Sequence, residues 1–128
     1  MDVSEAVPAD RSKQITIENA IGNRTDTVAS SATPSINSDT TDDFTITALA
    51  TNITSMSTGL SGTPVNGQKL TVRILDNGTS RNITWGASFV NRGGTLPTST
   101  TQNKYHYVGL IWNSTAAVFD CVVAIVEA

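Results

Sequence analysis

Alternation with a period of two dominates the chain. It is clearest from Gly67 to Trp85, GQKLTVRILDNGTSRNITW. Leu70, Val72 and Ile74 alternate with Thr71 and Arg73, which puts the aliphatics on one face of an extended strand and the polar residues on the other. Asp76-Asn77-Gly78 follows, a run suited to positive φ, so a chain reversal is expected there. Ile83 and Trp85, opposed by Asn82 and Thr84, form the return arm. The pattern predicts a β-hairpin with one buried face at the centre of the fold.

The rest of the chain reads as further short strands. Gln14-Ile15-Thr16-Ile17 is a short strand candidate, and Glu18 to Ile21, closed by Gly22, reads as one helical turn with a glycine cap. Thr25 to Ala29 and Ser35 to Asn37 read as edge strands around Pro34, and Thr40 to Asp43 as a polar loop. Phe44 to Ala50 alternates Phe44, Ile46 and Ala48 against Thr45 and Thr47, with Ile53 to Met56 extending it or pairing with it. Gly59 to Gly67 is a loop by composition, and Gly86 to Asn103 is the longest irregular stretch. Two strong strands close the chain, Lys104 to Trp112 and Ala117 to Val126, joined at Asn113-Ser114-Thr115. The last is apolar on both faces, which predicts a central strand or one covered on both sides. The fold class expected is all-β, a β-sandwich or jelly-roll-like module over residues 25–128, with the two hairpins as facing halves. Residues 1–24 are expected to form an extended N-terminal arm and attachment segment. Apart from Met1, its apolar residues before Pro8 are Val3, Ala6 and Val7, and these three are expected to contact a partner.

Composition narrows the function classes. The 128 residues suffice for one domain with its own core. Hydrophobic residues make up 38% and charged residues only 15%, with a net charge of -3, so no cationic footprint for nucleic acid is present. No apolar run approaches the roughly 20 residues of a membrane helix. No basic-then-apolar leader is seen at the N-terminus. One cysteine, Cys121, precludes an internal disulfide and reads as a small buried hydrophobe.

Candidate chemistry is sparse. The one histidine, His106, has no nucleophile motif beside it and points with Val108, Leu110 and Trp112, so it reads as a packed or edge residue. One Cys and one His are too few for a zinc site. Asp39, Asp42 and Asp43 share a loop but lack the spacing of a calcium loop, and read as turn-capping carboxylates. Five N-x-S/T triplets, at Asn23, Asn52, Asn77, Asn82 and Asn113, read as turn chemistry. Among the aromatics, core filling is favoured over a ligand platform. Tyr105, Tyr107 and Phe89 are the candidates for contact with a glycan or a partner. No catalytic, cofactor-binding or metal-binding residue is assigned, and the expectation is a non-enzyme with no cofactor.

Three blocks resemble β modules of tailed-bacteriophage virion proteins: Ser35 to Thr54, Gly62 to Gly86 and Tyr105 to Glu127. The matching residues include Pro64, Gly67, Gln68 and Leu70, then Asp76, Asn77, Gly78 and Thr79, then Trp85 with Gly86 and Phe119 with Asp120. Pro8 to Gly22 is similar to a phage tail-protein segment that precedes such modules. The resemblance implies a virion structural protein, on the capsid surface or the tail, commonly threefold. With only a short arm ahead of the β module, the layout suits a capsid decoration or cement protein. The expected partners are further copies in a homotrimer and the major capsid protein or another virion protein. The second reading is a receptor-binding tail- or head-fibre tip that binds host surface glycan.

Overall fold

The computed structural model describes residues 22–128. The arm with Val3, Ala6 and Val7, the strand at Gln14 to Ile17 and the turn at Glu18 to Ile21 lie outside the described residues. Those described form an all-β fold with eight strands and no helix; none therefore forms a helix long and apolar enough to cross a membrane. The strands are β1 (Thr25–Val28), β2 (Ile36–Asn37), β3 (Asp43–Leu49), β4 (Leu60–Ser61), β5 (Lys69–Asp76), β6 (Phe89–Asn91), β7 (His106–Asn113) and β8 (Val118–Val126).

Six strands make one mixed sheet in the order β1-β3-β5-β7-β8-β6, and β2 pairs with β4 in a second, two-stranded sheet. Strands β1, β3 and β5 run parallel, and the chain passes through β2 and β4 between them. Parallel neighbours need crossovers; here short strands and loops supply them, so the chain coils back on itself. This winding is solenoid-like, and is not specifically that of a β-sandwich or jelly roll. The reason lies in the sequence of burial: Ile36 and Met56 in the crossovers are as fully buried as Phe44, Ile46, Val72 and Ile74 in the strands. Crossover and sheet close one continuous core, which also takes in Ile53, Ile83, Trp85 and Phe119.

The inward face predicted for β5 is correct, since Leu70, Val72 and Ile74 are all buried. The central hairpin is not. Both edges of β5 are occupied, by β3 on one side and by β7 on the other, with Lys69 opposite Ile111 and Ile74 opposite His106. The arm after Gly78 therefore cannot return alongside β5. It crosses to the other side of the core, where Ile83 bridges Ile53 in parallel and Asn82 bridges Ser99 in antiparallel fashion. Ile53 to Met56 likewise serves this arm and does not extend β3, because Met56 N–H donates to the Thr84 carbonyl at 2.9 Å. The turn itself forms as expected. Gly78 has φ of 100°, and its N–H donates to Asp76 Oδ1 at 3.0 Å.

The C-terminal hairpin forms as predicted, with β7 and β8 antiparallel from Asn113–Val118 to His106–Val126 and a register shift between Gly109 and Leu110. Its last strand is covered only in part. Next to β6, β8 pairs through Phe119, Val90's partner Asp120, and Cys121. Beyond Cys121 its partner in the sheet, among the described residues, is β7 alone.

Candidate functional site

Two surfaces stand out, one at the end of the C-terminal hairpin and one beside the segment after Gly78. At the first, Val122, Val123, Ile125 and Val126 are 42%, 48%, 59% and 45% exposed. Such exposure clustered on one strand is the informative kind of exposed apolar surface. Register places Thr45, Arg73, Tyr107 and Ile125 in one row across the sheet, with their side chains on the same face. Gly109 lies opposite Val123, and a Cβ on it would come within 2.6 Å of Val123 Cγ1, so the valine lies over the glycine. The half-buried Tyr105 and Tyr107 stand side by side, ring centroids 6.0 Å apart.

Of the three predicted contact residues, Tyr105 and Tyr107 come together beside this patch. Phe89 does not join them. It is 5% exposed and stacks on Phe119 at 5.9 Å while meeting Trp85 edge-on at 5.2 Å, so it belongs to the aromatic core. Periodicity could not separate it from the tyrosines, because it lies in the irregular stretch after Gly86. Val123 and Ile125 were missed as surface residues. An apolar run on both faces reads as burial, yet Val123 and Ile125 lie on the sheet face that carries Tyr107 and stay exposed there.

The second surface is a cleft of about 540 Å³ beside the segment after Gly78. Asn82, Thr84, Asn91 and Thr98 line it with exposed polar side chains. Buried Ile83, Trp85, Phe89 and Leu96 form its floor. Trp85 Nε1–H donates to the Pro97 carbonyl at 2.7 Å, and Asn91 Oδ1 accepts the Leu96 N–H at 2.9 Å, which holds the two walls together.

The titratable groups mostly hold loops in place. Arg24 donates to Asp42 from its backbone N–H, Nε and Nη2. The guanidinium bonds, with the backbone N–H next, hold the Asp42 carboxyl down at about 2. Asp43 takes Arg73, and Asp39 Oδ1 accepts the Thr63 N–H; the three loop carboxylates thus serve three separate partners. Asp76 is buried. Burial works to raise its pKa, but the Asn103 N–H, the Thr100 hydroxyl, the Gly78 N–H and the nearby Arg81 charge outweigh it and hold the carboxyl below its ordinary range. Burial pushes the Cys121 thiol up.

His106 is buried on the inner face of β7, and its Nε2 accepts the Thr101 N–H at 2.9 Å. Accepting there requires the neutral ring with its proton on Nδ1. Burial lowers its pKa, opposed by the charge of Asp76. A lowered folded value means that stability is complete above the unfolded value of about 6.5 and declines as pH falls through and below it. The melting temperature of the protein is therefore expected to fall between about pH 7 and about pH 5. His106→Gln should flatten that part of the profile; an equally steep profile in the variant would assign the dependence to other groups. Asp42 and Asp76, with lowered pKa values, contribute stability above the ordinary carboxylate range that is lost only in more acid solution.

No family model, no curated protein and no solved structure matches this chain. The reading of its function therefore rests on its own residues and on the motif resemblance.

Proposed function

We propose that this chain is a non-enzymatic bacteriophage virion structural protein, a capsid decoration or cement protein on the head surface that works as a homotrimer. The virion part rests on the motif resemblance. The observation that supports assembly is the outer face at the end of β8, where Val123 and Ile125 stand exposed on the face that carries Tyr107, with Tyr105 beside it. Burying such a surface against further copies would contribute about 25 cal/mol for each Å² removed from water. A net charge of -3 leaves little mutual repulsion between copies. The major capsid protein, or another virion protein, would then be the surface to which the assembled copies attach.

Light scattering on the purified protein, followed by sedimentation with emptied capsids, tests both parts. The expected result is a trimer at micromolar concentration that sediments with the capsids. Val123→Asp combined with Ile125→Asp is expected to give a folded monomer, because both side chains are already exposed and the strand they sit on stays paired with β7. A monomeric parent protein would remove the assembly role, and a trimer that ignores capsids would remove the decoration role.

A further inference from the structure

We propose that the cleft beside Trp85 is a binding site for a neutral saccharide, a pyranose unit or short oligosaccharide. This stands whether or not the chain sits on a capsid.

The cleft's volume of about 540 Å³ falls within the range of small-molecule sites. Its chemistry selects the ligand class. The polar lining consists of two carboxamides, Asn82 and Asn91, and two hydroxyls, Thr84 and Thr98. Each of these groups both donates and accepts, as sugar hydroxyls do. Among the described residues no charged side chain lines the cleft, so a phosphate or carboxylate ligand would lose its hydration without finding a counter-charge there. The floor of Ile83, Trp85, Phe89 and Leu96 offers apolar surface to the C–H face of a ring.

Three of the polar side chains are free, and the backbone that carries them is held in place. The side chains of Asn82, Thr84 and Thr98 make no hydrogen bond among the described residues, while the backbone that carries them is tied down. Asn82 N–H donates to Asn52 Oδ1 at 2.9 Å, its carbonyl accepts the Ile53 N–H, and the Thr98 carbonyl accepts the Ile83 N–H at 2.8 Å. Asn91 has its oxygen committed to the Leu96 N–H, which leaves its amide NH₂ as a donor of fixed direction. The Asn91 carboxamide, ordered before the ligand arrives, loses less freedom on binding. The sequence hides this site because its residues come from the segment after Gly78, from β6 and from the loop that follows, which are brought together by the Asn82–Ser99 bridge and by the Trp85–Pro97 and Asn91–Leu96 hydrogen bonds.

The test is an amide and indole nuclear magnetic resonance titration of the whole chain with lactose, maltotriose and triacetylchitotriose, with glucuronate as the charged control. Saturable shifts are expected with at least one neutral sugar, confined to Asn82, Thr84, Asn91, Thr98 and the Trp85 indole. Glucuronate should produce none. Asn82→Ala and Thr98→Val remove side chains that hold nothing else, so both variants should fold. Each is expected to weaken binding about fivefold, the effect of one hydrogen bond. Shifts from none of the three neutral sugars, shifts centred elsewhere, equal binding of glucuronate, or affinity unchanged in both variants would each overturn the assignment.

Discussion

Phe119→Ala is expected to destabilise the protein by about 3–5 kcal/mol, the cost of truncating a large core aromatic. Phe119 is fully buried. Its ring stacks on Phe89 with centroids 5.9 Å apart and meets Trp112 edge-on at 5.0 Å. It lies in register with both residues, one on β6 and the other on β7, so a single side chain joins three strands. The truncation leaves a cavity that three separately anchored strands cannot collapse around. Domains of this kind have only about 5–15 kcal/mol of total stability, so much of it would be lost. Urea melts followed by circular dichroism measure the change. Ile125→Ala, on the same strand but 59% exposed, serves as the control and should cost well under half as much. A loss from Phe119→Ala no larger than the control's would mean that the aromatic cluster does not hold β6 to the hairpin.

The second large effect comes from a single methyl group. A Cβ placed on Gly59 would sit 2.0 Å from the Pro34 carbonyl oxygen, 2.7 Å from its carbon and 3.0 Å from the Thr33 oxygen. All three are backbone atoms, so no side chain can rotate away. Gly59 also accepts the Ile36 N–H at 3.0 Å, and Ile36 pairs with Leu60 in the small sheet. Gly59→Ala must therefore push β2 from β4 and lift Ile36 out of the core. Overpacking of this kind costs about 3 kcal/mol, and more where the backbone must move. Gly67→Ala is the informative comparison. Gly67 has φ of 82° but open space around the missing Cβ, so its alanine variant should lose only about 1 kcal/mol from the left-handed backbone. Thermal melts of the two variants should therefore separate widely. If Gly59→Ala melts with or above Gly67→Ala, the close approach of the crossover to Pro34 is not real in solution.

The sequence by itself determined the all-β class, the inward face of β5, the positive-φ turn at Gly78 and the C-terminal hairpin. These follow from side-chain period and turn chemistry, which act over a few residues. It also placed Tyr105 and Tyr107 toward the surface and His106 on the face of Val108 and Leu110, since β7 alternates cleanly; the structure decided that this face is buried at His106. Only the tertiary structure decided which strands are neighbours. Alternation says that a strand has two faces, but nothing about what occupies its two edges. The edges of β5 went to β3 and β7, which sent Ile83 and Trp85 across the core and opened the cleft below Asn82 and Thr98. The same limit explains the end of β8. Its apolar residues predict burial, yet Val123 and Ile125 lie on the sheet face that carries Tyr107 and stay exposed, because what covers a face is also decided outside the strand. Face patterns are local and written in the residues, whereas edge pairing depends on contacts far apart in the chain that no short window contains.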